Sequence, residues 1–200
     1  MKNKIFGNYV NQRDKIQSRL EQFKSLNEKE YFKEFLFCLL TPQSNAKKCW
    51  QAIEEISKLK KFEEELIFNI LKTKTRFHIK KTKYILEAPK TWELIKPILN
   101  NQNRKELRNL LAENVKGYGL KEASHFLRNI GKSENQIAIL DRHILRNLEK
   151  YGIINETKIK SKKHYFKIES PYLQFASSIK ISPDELDLLW WGQENGEIFK

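Results

Sequence analysis

Apolar residues recur along most of this chain at three- and four-residue spacing, while alternating β-branched runs bounded by hairpin turns are missing from the sequence. The pattern predicts an all-α fold. Ile16, Leu20 and Phe23 mark one face of a first amphipathic helix, and "YFKEFLFCLL" (31–40) is apolar on most sides, as a helix central to a bundle would be. Thr41 and Pro42 stop it. A third helix is predicted over 44–59 with Cys49, Ile53 and Ile56 inward, then a shorter one over 62–71. Weaker helical patterns cover 82–86 and 94–99, the latter interrupted by Pro97.

Local punctuation sharpens the second half. Asn103 is placed to cap a helix whose N3 residue is Glu106, with Leu107, Leu110, Leu111 and Val115 on one face. Two glycines end it, and Leu120, Ala123, Phe126, Leu127 and Ile130 then repeat at helical spacing up to Gly131. Asp141 is the expected cap of a further helix burying Ile144, Leu145 and Leu148 and closing at Gly152. Near the end, Ser182, Pro183 and Glu185 form a complete helix start. Of the adjacent Trp190 and Trp191, the first is expected to be buried and the second to face another way.

Charge adds a partner to this picture. The 200 residues include 38 Lys and Arg against 25 Asp and Glu, a formal charge of +13, and such self-repulsion is explained by a polyanionic partner or by a generally lysine-rich surface. "KTKTRFHIKKTK" (72–83) and "KIKSKKHYFK" (158–167) contain no acid and interleave aromatics with cations, which suits phosphate neutralisation combined with base stacking. Cys38 and Cys49 form no CxxC pair, and no Cys/His spacing suits zinc or an iron–sulfur cluster, so reduced thiols and no cofactor are expected. No run approaches a membrane span, and the first residues lack the apolar core of a secretory signal; the expected location is the cytoplasm, on the nucleoid.

Chemistry enters at "VKGYGLKEA" (115–123). Glycines permit close backbone approach, and the helix that follows starts with free amides, which together make an anion site. Val115, Lys116, Gly117, Tyr118, Gly119, Leu120 and Lys121 resemble the hairpin of the helix-hairpin-helix DNA glycosylases, apolar-x-Gly-apolar-Gly with a lysine two residues on. "KEASHFLRN", "ILDRHILR" and the final Lys200 further resemble the type 2 branch of 8-oxoguanine DNA glycosylase/AP lyases. The resemblance implies a two-lobed helical fold of the HhH-GPD superfamily. One lobe spans 33–132, with the helix-hairpin-helix at about 104–131, and 1–32 plus 133–200 form the other. The implied activity is excision of 8-oxoguanine and strand cleavage by β-elimination through a lysine Schiff base, acting as a monomer on double-stranded DNA carrying 8-oxoguanine or abasic sites.

The resemblance implies that Lys121 and Asp141 are the catalytic pair. A lysine attacks an anomeric carbon only as the neutral amine, and the positive end of a helix dipole in the first turn disfavours the ammonium. Cleaving an N-glycosidic bond develops positive charge on the sugar, which a carboxylate stabilises. An ionised Asp141 in tight contact with Lys121 would oppose that activation, so the two are expected near one sugar without a close salt bridge. Lys121, His125 and Arg128 are expected to share an outward helix face, opposite Ala123, Phe126 and Ile130.

Further contacts follow the same resemblance. Gly117, Tyr118, Gly119, His125, Arg142 and His143 are expected at the DNA backbone. Phe77 and Trp191 resemble aromatics that stack on an extruded base, though either position also suits a core residue. Gln43 and Arg76 could address the gap or the estranged base. The resemblance implies that Lys200 helps distinguish 8-oxoguanine from guanine, and that a structural cation could sit on the carbonyls of Glu113, Val115 and Tyr118, with no catalytic metal. Two other functions share parts of this pattern: an endonuclease III-like oxidised-pyrimidine glycosylase, and a non-catalytic helix-hairpin-helix module.

Overall fold

The computed structural model describes residues 2–200, and all regular structure among them is helical. The chain divides into two compact units, Leu26–Phe126 and the segment up to Ser25 with Leu127–Lys200. Both divisions stand six or seven residues before those expected from the sequence. The first falls between the first two helices rather than inside the second, and the other falls within a helix.

The unit 26–126 is built around α2 (Glu28–Leu40), with α3 (Ala46–Ile56), α4 (Glu64–Lys72), α5 (His78–Ile95), a 3-10 turn (Lys96–Asn100) and α6 (Arg104–Asn114). Asn27 and Glu30 form a capping box at the start of α2. Every residue of α2 from Glu34 to Leu40 is buried, as expected for a helix surrounded by others. Phe35 lies at the centre of an aromatic cluster, with ring centroids 5.5 Å from Trp92, 5.4 Å from Tyr118 and 5.9 Å from Phe126.

The other unit contains α1 (Lys2–Lys24), the end of α7 (Leu120–Asn129), α8 (Arg142–Lys150), α9 (Lys162–Ser178) and α10 (Pro183–Asn195). Its core is Trp190, fully buried and stacked at 5.7 Å on Tyr151 and 6.1 Å on Phe175. Tyr172 donates its hydroxyl proton to the Pro183 carbonyl at 2.7 Å. The predicted caps stand where local spacing put them. Asn103 accepts from Glu106 N–H, Ser182 and Glu185 complete their box, and after Gly131 the Lys132 N–H returns 2.7 Å to Leu127 O.

Two helices differ from expectation. The segment expected at 82–86 is part of a longer α5 that runs through Pro89 and ends at Ile95, inside the segment expected at 94–99, whose remaining residues form the 3-10 turn containing Pro97. The basic stretch at 158–167 leads into α9, which Ser161 caps and which also carries an internal proline, Pro171. A proline removes one backbone bond from a helix. Burial of Ile85, Ala88 and Trp92 on one side of α5, and of Ile168, Tyr172 and Ala176 on α9, holds each helix through it.

Candidate active site

The hairpin between α6 and α7 is held from inside the unit that contains it. Gly117 has φ +101°, and a Cβ there would lie 2.7 and 2.8 Å from two ring carbons of Tyr84. Tyr118 N–H donates to Val115 O at 3.0 Å, closing the turn. The Tyr118 side chain points inward, donating to Phe35 O at 2.9 Å, and burial pushes its phenol well above the ordinary value. Its expected DNA contact is therefore limited to the backbone, because the ring is the anchor of the turn. Val115 O, one of the three carbonyls considered for a cation, already accepts that turn bond.

Lys121 follows in the first turn of α7, with its side chain 24% exposed and Nζ 3.0 Å from Glu122 Oε1. The other Glu122 oxygen accepts from Gly119 N–H at 3.1 Å. One carboxylate thus bridges the hairpin amide and the lysine. Glu122 was not among the residues expected at the site, although an acid three residues after a helix-capping glycine is the N3 position of a capping box.

A second lysine lies in the same unit. Lys81 of α5 is 3% exposed, and its Nζ donates to Leu40 O at 2.7 Å, Pro42 O at 2.9 Å and Ser44 Oγ at 2.8 Å. Burial lowers its ammonium from 10.5 to about 8; Cys49 opposes that shift and the charge on Lys121 adds to it. Burial raises the Cys49 thiol to about 11 against the pull of the same two lysines. Cys49 Sγ donates to Leu40 O at 3.2 Å.

Gln43, Arg76 and Phe77 are gathered by this arrangement. Arg76 N–H donates to Ser44 Oγ at 2.9 Å, and the Arg76 guanidinium carbon lies 5.6 Å from the Phe77 ring centroid. Phe77 is 54% exposed, so it is a surface aromatic and no core residue. His125 departs from the expected outward face: it is buried, edge-on to Phe37 at 5.7 Å. Arg128 departs further, being 2% exposed and paired with buried Asp187 at 3.1 Å. A partner 59 positions away in sequence turns that arginine inward, which helical spacing alone could not reveal.

In the other unit, Asp141 caps α8, its Oδ1 accepting from His143 N–H and Ile144 N–H, each at 2.8 Å. Oδ2 takes neither bond. Arg142 is exposed, and His143 Nδ1 lies 3.8 Å from Glu194 Oε2. Trp191 is half-buried, its ring 6.3 Å from that of Phe199, and Lys200 is buried with Nζ 5.8 Å from the Phe23 ring centroid. Gly192 seats the tail, since a Cβ there would lie 2.5 Å from Ile198 Cδ1. Among the described residues no group of three or more His, Cys, Asp or Glu could hold a metal ion, and no helix is long and apolar enough to cross a membrane.

The family model for 8-oxoguanine DNA glycosylase, Ogg-HhH, matches residues 16–181. The chain belongs to this family. A relative from Fusobacterium nucleatum named 8-oxoguanine DNA glycosylase/AP lyase is 40% identical, covering 99% of this chain and 97% of its own length. The 8-oxoguanine DNA glycosylase of Thermotoga maritima superposes with a TM-score of 0.86 at 31% identity, covering 100% of this chain and 98% of that one. The Methanocaldococcus jannaschii 8-oxoguanine glycosylase/lyase, crystallised with a 15mer DNA containing 8-oxoguanine, gives 0.88 at 35% identity, covering 98% of each chain. The fold is accordingly the all-α, two-lobed HhH-GPD fold of the 8-oxoguanine glycosylase family.

Proposed function

We propose that this protein is a bifunctional 8-oxoguanine DNA glycosylase/AP lyase in which Lys121 is the nucleophile and Asp141 the assisting carboxylate. The observation that carries the assignment is the partly exposed Lys121 side chain in the first turn of the helix leaving the Gly117–Gly119 hairpin, within a chain of this family. Lys121 must first shed a proton; ionised Glu122 at 3.0 Å favours the ammonium, as a close Asp141 would, and is at the same time a proton acceptor within reach. The neutral amine adds at C1′ of the damaged nucleoside as the bond to 8-oxoguanine breaks, and the electron pair leaves with the protonated base. Asp141 stabilises the positive charge developing on the sugar; its uncommitted Oδ2 supports this role. Cleavage of the C1′–O4′ bond then opens the sugar ring and gives the Schiff base, and removal of a C2′ proton expels the 3′ phosphate by β-elimination.

The hairpin amides, Arg142 and His143 would take backbone phosphates. Phe77 and Trp191 would flank the extruded base, Gln43 and Arg76 the vacated space, and Lys200 the purine edge that separates 8-oxoguanine from guanine. The working form is a monomer on duplex DNA carrying 8-oxoguanine or an abasic site, acting on the nucleoid.

Borohydride trapping on duplexes carrying 8-oxoguanine, thymine glycol or undamaged bases tests the assignment. An adduct specific to 8-oxoguanine, absent in Lys121→Gln, is expected. Preference for thymine glycol would return the endonuclease III-like function, and salt-sensitive binding without any adduct would return the non-catalytic module. Glu122→Gln should slow trapping more at neutral than at alkaline pH; an equal loss at both would remove Glu122 from the proton path.

A further inference from the structure

Gln43 and Phe77 are both exposed, and both hold left-handed backbone conformations, φ 53° and φ 57°. Neither residue type favours that region, and each such position costs about 1–3 kcal/mol unless the surroundings over-determine it. The residues responsible are the same for both. Lys81 bonds Pro42 O and Ser44 Oγ, one on either side of Gln43. Ser44 Oγ also accepts the backbone proton of Arg76, the residue before Phe77.

Lys81 suits this task chemically. An ammonium has three donors and no acceptor, and here all three meet oxygen, so the buried charge is satisfied without a carboxylate. Leu40 is the last residue of α2, where the helix dipole favours a cation. Its carbonyl also accepts Cys49 Sγ–H, tying in α3. The end of α2 and the loop before α3 thus meet at one nitrogen, and two of its oxygen partners, Leu40 O and Ser44 Oγ, carry the network on to α3 and to the turn before α5.

We propose that Lys81 is a positioning residue for base excision, holding the loop that carries Gln43 and the turn that carries Arg76 and Phe77 as a single rigid edge. The inference rests on the functional reading above, in which those three side chains act where the damaged nucleotide leaves the stack. Lys81 itself touches no DNA. Its loss should therefore harm the step that needs the base extruded and spare the step that does not.

The test compares single-turnover excision from an 8-oxoguanine duplex with incision of a preformed abasic site. Lys81→Met should slow excision about 10-fold or more while abasic incision stays within about 3-fold, as expected when a reacting group is misplaced rather than removed. Adding Gln43→Ala to Lys81→Met should cost nothing further, and Lys81→Arg should restore part of the rate. Excision by a cooperatively melting Lys81→Met within about 2-fold of wild type, equal loss in both reactions, or multiplying losses with Gln43→Ala would each overturn the proposal. If Lys81→Met does not fold, Ser44→Ala carries the same comparison, because it removes one Lys81 bond and the Arg76 bond together; unequal loss supports the proposal and equal or no loss overturns it. A wild-type protein that forms no trapped adduct would overturn the functional reading and this inference with it, whereas with an active wild type the variants bear on Lys81 alone.

Discussion

The two hairpin glycines face different constraints, and alanine at each should separate them. At Gly117 the backbone is at φ +101°, which costs an L-residue about 1–3 kcal/mol. The new methyl would also sit 2.7 Å from Tyr84 Cδ2 and 3.2 Å from Leu39 Cδ2, where overpacking typically adds about 1–3 kcal/mol. Gly117→Ala should therefore lose roughly 2–6 kcal/mol, and at about 2–4 °C per kcal/mol for a chain of this size its melting point should fall by about 4–24 °C. Gly119 has no positive φ, and the nearest atom to a Cβ is the end of the Glu122 side chain at 3.2 Å. That carboxylate can swing aside, so Gly119→Ala should melt within about 3 °C of wild type. Its methyl instead stands beside the Gly119 amide, which Glu122 Oε2 holds at 3.1 Å and must release before a phosphate can bind there, so DNA affinity should fall while stability holds. Thermal melts and salt-dependent binding isotherms on both variants decide the matter. A Gly117→Ala protein as stable as wild type would refute the steric account, and a Gly119→Ala protein with unchanged DNA affinity would remove the phosphate contact from that amide.

Three further outcomes are expected. Because Lys81 has a folded pKa of about 8 against 10.5 unfolded, the unfolded chain holds more protons between those values and stability should rise with pH from 8. The buried ammonium costs up to about 3 kcal/mol below that window, and Lys81→Met should abolish the rise in urea titrations at pH 8 and 9; above 9 the Cys49 thiol, about 11 folded, acts in the opposite direction. Gly192→Ala should displace the tail through Ile198 and narrow the preference for 8-oxoguanine over guanine, with abasic-site incision retained; unchanged preference would detach the tail from recognition. Arg128→Met removes the buried ion pair with Asp187 and should lose about 3–5 kcal/mol in urea, whereas a loss in DNA binding with stability intact would restore Arg128 to the surface.

Features determined within a few residues were the ones legible in the sequence. Asn103, Asp141 and Ser182 each cap a helix through a neighbour two or three positions away, and Gly131 ends one the same way. What escaped depends on distant partners. Prolines at 89 and 171 look like helix breaks until buried neighbours hold the backbone through them. Arg128 reads as a surface cation until Asp187 arrives, and Lys81 reads as one more positive charge in a basic run although it occupies the same inward face as Ile85 and Trp92. The hairpin and its lysine were legible because turn and helix start are adjacent in sequence; the identity of the damaged base came from resemblance and family membership.

Phe77 has a consequence for anyone engineering this enzyme. Glycine there would relax a left-handed backbone and withdraw an exposed aromatic from water, so a screen that rewards heat resistance alone should favour it. If the ring does meet an extruded base, the sturdier enzyme would be the poorer repairer. Thermostabilised libraries of this protein should then be sorted by activity at position 77 first, since that is where durability and repair select for opposite residues.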